Sequence, residues 1–272
     1  VLGNQKGDYK SYKKFMMDQI SELIDNYKPG NIWFDGEWEH YANMKEGNVA
    51  TSFDWEIEDI YALIHSKKTL VANNNHKYPR VTEDIQIFER DAPGENTTGF
   101  SKGQTVSVDT PLEQCDVIQR NVWGYKIAEK RFFTPEQVVV KIIRAASKNS
   151  NLLMNIGPDA SGQFPRKSTE ILRAVGKWMK KNGEAIYGTK AGTVSLGNLV
   201  VSTQKGDCLY LHFIDPGFNK AALALPGKVK SAVCLETGKA VGCATTETDD
   251  VVITVNREAG DKMPKVVKVT FK

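Results

Sequence analysis

The sequence predicts an α/β protein in two parts: alternating helices and strands over residues 1–188, then an antiparallel β-sandwich over residues 189–272. Three observations carry this expectation. In the first part, apolar residues recur at three- and four-residue steps and short β-prone runs follow them, the rhythm of an α/β barrel or a doubly wound sheet. Past about Gly188 the helical period disappears, and short β-rich runs punctuated by Gly, Asn and Asp take over. The 272 residues, 40% hydrophobic and 25% charged, leave room for one large domain or two smaller ones.

The elements follow in order. Phe15, Met16, Ile20, Leu23, Ile24 and Tyr27 make one apolar face of a helix over residues 12–27, which Pro29-Gly30 stops. Residues 31–35 are a β-prone run that ends on the carboxylate of Asp35. Ile57, Ile60, Tyr61 and Ile64 mark a second helix, with a strand over residues 69–72 behind it. Residues 84–89 alternate polar and apolar and finish on Glu89, before Arg90-Asp91-Ala92-Pro93-Gly94 turns the chain. Residues 94–110, rich in Gly, Ser and Thr, read as a surface loop that shapes a site. Thr134-Pro135-Glu136-Gln137 is a capping box that opens a helix through Val138, Ile142 and Ala146. A buried-type strand over residues 151–156 stops at Gly157-Pro158, and Ile171, Leu172, Val175, Trp178 and Met179 form the next helix, ended by Asn182-Gly183. In the second part, β-rich runs cover residues 199–202, 208–214, 221–225, 231–235, 251–255 and 266–271.

Charge and composition narrow the function. Thirty-six Lys+Arg against 33 Asp+Glu give a net charge of +3, too balanced for the broad field of a nucleic-acid binder. Apolar runs such as residues 221–225 fall far short of the roughly 20 residues of a membrane-spanning helix. Cys115, Cys208, Cys234 and Cys243 form no C-x-x-C pair and have no His at ligand spacing, so neither zinc nor another metal is expected. Free thiols are favoured over a disulfide between Cys234 and Cys243. Residues 1–6 carry no signal-peptide apolar stretch, so the compartment is inferred only through function.

In β/α barrels the catalytic groups sit at the C-terminal ends of strands, where the variable loops gather. Asp35 and Glu89 both occupy such ends. Two carboxylates facing one pocket suit glycoside hydrolysis, in which one attacks or stabilises the sugar's developing cation and the other protonates the leaving oxygen. A strand-end Asp is also a common helix cap or loop anchor.

The segment Tyr27-Lys28-Pro29-Gly30-Asn31-Ile32-Trp33-Phe34-Asp35-Gly36-Glu37-Trp38-Glu39 resembles the nucleophile segment of the α-L-fucosidases of glycoside hydrolase family 29. Val122-Trp123-Gly124-Tyr125, residues 151–159 and residues 175–187 follow in the order of that family. The resemblance implies a (β/α)8-type barrel with a C-terminal β-sandwich, and a retaining exo-glycosidase that removes terminal α-L-fucose through a covalent fucosyl-enzyme intermediate. It makes Asp35 the nucleophile and Glu89 the acid/base. Glu113, in Pro111-Leu112-Glu113-Gln114-Cys115, resembles a family segment Lys-Trp-Glu-x-Cys and is the alternative acid/base, with Glu95 behind it. Trp33 and Trp123 become aromatic walls for the sugar. Asn73-Asn74-Asn75-His76 stands where many relatives carry Asn-Asp-Arg-Trp, so Asn75 replaces a substrate-binding Arg, and His76 is the candidate to take over hydrogen bonding. Glu37 and Glu39 read as loop charges, and Asp159 and Gly162 as turn chemistry.

No organic cofactor is implied, because two carboxylates suffice for the chemistry. The implied partner is a fucosylated oligosaccharide or glycoconjugate, with neither nucleic acid nor a membrane span. An eight-stranded barrel takes about 250 residues, whereas about 187 precede the sandwich here. The first half of the barrel, with its fucose-binding histidines, is therefore expected from the same parent polypeptide, and the chain alone is expected to be a poor enzyme. The competing expectations are a non-catalytic glycan-binding module and a barrel hydrolase for another sugar. Fucose-bearing substrates point to the periplasm or to secretion.

Overall fold

The computed structural model describes residues 8–35, 55–74, 83–101 and 104–272. The chain divides into two compact units, Val1–Ile87 with Gly103–Pro111, and Phe88–Lys102 with Leu112–Lys272.

In the first unit, α1 (Tyr9–Tyr27) begins three residues before the expected start, because Asp8 caps it by accepting from the Lys10 amide at 3.1 Å. Lys28 ends it in the left-handed region, φ 49°, its amide reaching back to the Ile24 carbonyl at 3.0 Å. Ile20 and Ile24 of α1 pack with Ile57, Ile60, Tyr61 and Ile64 of α2 (Ile57–Ser66) and with Val71, a cluster in which each buried side chain contributes about 1.5–3 kcal/mol. Strands β1 (Asn31–Phe34) and β2 (Leu70–Asn74) pair in parallel from Asn31↔Leu70 to Phe34↔Asn73. Strand β3 (Ile85–Glu89) pairs in parallel with β2 from Ala72↔Ile85 to Asn74↔Ile87. Parallel neighbours need a crossover, and α2 supplies the one between β1 and β2.

The second unit takes in the end of β3 and then β4 (Leu112–Val117), α3 (Pro135–Ala146), β5 (Ser150–Asn155) and α4 (Arg166–Asn182). β4 and β5 are parallel, from Leu112↔Ser150 to Val117↔Asn155. The capping box of α3 is present in full, with the Gln137 amide donating to Thr134 Oγ1 at 3.3 Å and the Thr134 amide donating to Gln137 Oε1 at 3.0 Å. Asp116 turns toward α3, where Lys141 reaches it at 2.5 Å. Asn151 and Leu153 of β5 are exposed, while Met154 joins the core beneath the helices.

A 3-10 turn at Gly183–Ala185 then leads into antiparallel structure. Its strands are β6 (Lys190–Ala191), β7 (Val200–Lys205), β8 (Cys208–Phe213), β9 (Lys220–Leu223), β10 (Val229–Cys234), β11 (Gly242–Thr245), β12 (Val251–Thr254) and β13 (Lys265–Phe271). They form one sheet in the order β10-β13-β8-β7-β6 and another in the order β11-β12-β9. Leu209, Leu211, Phe213, Val267 and Val269 of the first sheet meet Leu223 and Ile253 of the second, which makes a sandwich core. The alternate residues Tyr210 and Val266, with Ile214, pack instead against Ile143, Ile171 and Trp178 of α3 and α4. The central strands β8 and β13 are thus largely buried on both faces. The antiparallel strands begin at Lys190, and this shared core keeps the sandwich and the last β/α elements in one compact unit.

The fold class is the predicted one, a partial barrel-type β/α series with parallel strands followed by an antiparallel sandwich. All four cysteines are free thiols.

Candidate active site

The first unit presents one candidate carboxylate. Ile32 and Phe34 of β1 pack into the helical core, so Trp33 and Asp35 share the other face of the strand. Asp35, the residue after the strand's end, is exposed. Asn74, the last residue of β2, donates its side-chain amide to Asp35 Oδ1 at 3.3 Å. The neighbouring Asn73 points the opposite way and donates to the Tyr61 hydroxyl at 3.0 Å, which in turn donates to Glu83 Oε1 at 3.1 Å. The end of β2 is therefore tied down from its helix side while its other side holds one oxygen of Asp35 in place. Asn75 and His76, like Glu37 and Glu39, lie outside the described residues.

The second unit presents the other carboxylate. Glu89, the last residue of β3, is 7% exposed. Arg90 follows it at φ 63°, its amide donating to the Cys115 carbonyl at 2.7 Å, so the chain leaves the strand in a tight left-handed step. That step lays the Arg90 side chain back over its neighbours, with Nε 3.8 Å from Glu89 Oε1. Its guanidinium lies 5.1 Å from the ring of Trp123 and 5.6 Å from that of Phe100, inside the reach of cation–π attraction. Arg90 thus links the carboxylate to two aromatic rings carried on two loops.

Both loops are anchored. Asp91 accepts from the amides of Thr97 and Thr98, each at 3.1 Å, and from both threonine hydroxyls, which closes the turn that leads to Phe100. Burial pushes the Asp91 carboxyl up, but these four hydrogen bonds outweigh it and hold the group below its ordinary range. On the other loop, the carbonyl of Trp123 accepts from the side-chain amide of Asn155 at the end of β5. A Cβ at Gly157 would stand 2.2 Å from the backbone carbon of Gly124, so only glycine lets the 122–125 loop rest on this strand end. Trp123, 39% exposed, is consequently held with its ring open to solvent.

Glu113 is placed differently. It is the second residue of β4, half-buried and opposite Asn151, and the strand continues to Val117 before the loop begins. It shares its face of the strand with Cys115 and Val117, away from α3. Glu95 is engaged elsewhere, 3.4 Å from Arg144 and 3.5 Å from Lys148. Asp159 accepts from the amides of Ser161 and Gln163 at 2.8 and 3.0 Å in a turn with Gly162 at φ 81°.

Asn74, Arg90 and Asn155 are the site residues that sequence reasoning did not single out. The signal for Asn74 was its place just before Asn75, but it reads as loop until the length of β2 is known. Among the described residues no group of three or more His, Cys, Asp or Glu is placed to hold a metal ion, and no helix is long and apolar enough to cross a membrane.

Residues 2–184 match the sequence profile of a family described as Alpha-L-fucosidase. Tissue alpha-L-fucosidase of Bos taurus is 29% identical over 217 residues, covering 74% of this chain and 41% of that protein. The Homo sapiens enzyme of the same name is 29% identical over 203 residues, covering 73% of this chain and 41% of the relative. The chain therefore spans about two fifths of the length of these relatives, 41% in each case. Among solved structures, alpha-L-fucosidase isoenzyme 1 from Paenibacillus thiaminolyticus superposes with a TM-score of 0.76 at 28% identity, over 99% of this chain and 64% of that one. Thermotoga maritima alpha-fucosidase, solved with a mechanism-based inhibitor, has a TM-score of 0.69 at 20% identity over 96% of this chain and 57% of that one, a likeness of fold.

Proposed function

The chain belongs to the alpha-L-fucosidase family, and from that premise we propose that it is the C-terminal part of a retaining exo-glycosidase that releases terminal α-L-fucose from glycans. The observation that carries the reading is Asp35 itself, exposed at the end of β1 inside the family-matched segment, with one oxygen held by Asn74. A nucleophile needs that arrangement: one oxygen fixed, so that the other can be aimed at the anomeric carbon.

In the proposed first step an Asp35 oxygen forms a bond to the anomeric carbon as the bond to the aglycone oxygen breaks, and Glu89 gives that oxygen its proton. In the second step a water loses a proton to Glu89 and attacks the same carbon, so that the bond to Asp35 breaks and fucose leaves with its configuration retained. Glu89 is preferred to Glu113 because it stands at the strand's end, where barrel chemistry is done. Trp33 and Trp123 are proposed to face the sugar's apolar side, and Asn75 and His76 its hydroxyls. The first half of the barrel is proposed to come from the same parent polypeptide. The proposed compartment is the periplasm or the extracellular space, where fucose-bearing glycans occur.

The test uses the longer polypeptide with a 2-fluoro-fucosyl fluoride, whose fluorine slows breakdown of the intermediate. Peptide mapping is expected to find one fluorofucosyl group on the peptide containing Asp35, and none after Asp35→Asn. Labelling of another carboxylate, or turnover of aryl glycosides of other sugars in preference to the aryl α-L-fucoside, would overturn the reading. A non-catalytic glycan binder would take up no label.

A further inference from the structure

The loop after β4 and the first turns of α3 and α4 enclose a groove of about 640 Å3 within the second unit. Arg120, Lys130, Arg131 and Lys167 line it over Phe133 and Ile171, and no carboxylate does. Local pairing neutralises only part of this charge. Arg131 is spent on Glu129, with contacts of 2.9 and 2.6 Å that draw the Glu129 carboxyl down to about 2. Lys167 shares Glu170, at 3.9 Å, with Arg166, which holds the same carboxylate at 2.9 Å. Arg120 lies 4.5 Å from the Phe133 ring and donates to Gln137 Oε1 at 3.1 Å, a neutral acceptor. Among the described residues, no carboxylate pairs with Lys130.

The first turn of α4 deepens the imbalance. It carries Arg166 and Lys167 and no acidic residue, which sets cations at the end of the helix that disfavours them. With one carboxylate, Glu170, serving both Arg166 and Lys167, these helix-end cations add to the positive charge of Arg120 and Lys130 beside the groove.

The position of the groove suggests its use. It opens where the chain leaves β4 and enters α3 and α4, on the C-terminal side of the parallel strands. The loop over residues 118–134 that walls it also carries Trp123, whose ring meets Arg90 beside Glu89. The same loop therefore joins Trp123 to Lys130 and Arg131 of the groove. We propose that the groove is a subsite for an anionic substituent, a sulfate ester or a sugar carboxylate, on the part of the glycan released from fucose. The inference rests on the function proposed above, and it makes acidic fucosylated glycans the preferred substrates.

Two measurements separate this inference from the reading it rests on. In the first, the longer polypeptide is titrated with sulfated lactose, sialyllactose and plain lactose, none of which contains fucose. Binding of at least one acidic sugar about tenfold tighter than lactose is expected, weakening with added salt and lost in Lys130→Glu/Lys167→Glu. The sulfated and sialylated arms tell the two anions apart. Equal binding of all three sugars, or acidic-sugar binding unchanged in the double variant, would overturn the subsite. In the second, the longer polypeptide is assayed on an aryl α-L-fucoside and on neutral and acidic fucosyl-lactoses. The double variant is expected to keep wild-type turnover of the aryl fucoside while kcat/KM for the acidic substrate falls about tenfold, mainly through KM. Failure on the aryl fucoside would sink the proposed function and leave the titration to judge the groove.

Discussion

Glu89 and Glu113 differ in what their surroundings allow them to do. Glu89 ends its strand, and Arg90 stands 3.8 Å away within reach of the Phe100 and Trp123 rings, so the carboxyl has neighbours that are themselves placed. Glu113 sits four residues short of its own strand's end. Protonation of the leaving oxygen matters only when the leaving group is poor. Glu89→Ala in the longer polypeptide should therefore depress hydrolysis of natural glycans by about 100-fold or more, yet affect formation of the intermediate from an activated aryl fucoside much less. External azide should then speed breakdown of the accumulated intermediate and yield a fucosyl azide of retained configuration, whereas Glu113→Ala should show no leaving-group dependence. The same pattern in Glu113→Ala and not in Glu89→Ala would transfer the role to β4. Both carboxylates of the proposed pair were legible in the sequence, because a carboxylate that ends a β-prone run and precedes turn residues announces a strand end. Their neighbours were not. The left-handed φ of Arg90 and the inward turn of Asn74 depend on backbone geometry and strand register, which no residue pattern records.

At the level of elements, legibility followed periodicity. The helices with a clear apolar stripe and the strands rich in Val, Ile and Leu all stand where the pattern put them. Strand β4 was the longest of three elements missed: its sequence, Leu-Glu-Gln-Cys-Asp-Val, has no apolar alternation, because Asp116 is directed to Lys141 of α3 and not to an apolar core. The short strands β6 and β11 were missed for lack of any apolar run, and all four residues of β11 are exposed. The motif stretches around Trp123 and Gly157 were visible as separate words, but the contact between them was not. A methyl group at position 157 would overlap the backbone of Gly124 at 2.2 Å and that of Tyr125 at 2.4 Å, and backbone, unlike a flexible side-chain end, cannot simply swing aside. Gly157→Ala should therefore lift the 122–125 loop, separate Trp123 from Arg90 and cost roughly 1–3 kcal/mol of stability. The expected readout is altered Trp123 fluorescence with a fall in kcat/KM, set against a Trp123→Phe control that identifies the signal. A variant with wild-type emission and wild-type kinetics would show that the loop does not depend on this close approach.

On the scale of the whole molecule, the division into compact units differs from the change in architecture because β8 and β13 lie between two cores. Leu209, Leu211 and Phe213 serve the sandwich, while Tyr210, between them, serves the helices. His212 is the polar member of that second face and is fully buried. Its Nε2 lies 2.9 Å from Thr203 Oγ1, and that hydroxyl donates to the Ala185 carbonyl at 2.6 Å, so Nε2 carries the proton and donates to the threonine. Nδ1 has no hydrogen-bond partner, and burial pushes the ring's pKa down to about 3 from an ordinary 6.5. The folded chain therefore keeps His212 neutral at pH values where the unfolded chain protonates it. The stability that this neutral ring confers is complete above about pH 6.5 and is lost as the pH falls from there toward 3, at up to about 1.4 kcal/mol per pH unit. Because β8 is a wall of both cores, the loss should appear in the cooperative unfolding of the entire second unit and not as fraying of the sandwich alone. Thermal melts between pH 7 and pH 4 should show a midpoint that drops with acid in the wild type and drops less steeply in His212→Gln, which keeps a donor toward Thr203 and does not titrate. Equal acid sensitivity in the two proteins would remove His212 as the cause, and a sandwich transition resolved from that of α3 and α4 would contradict the shared core.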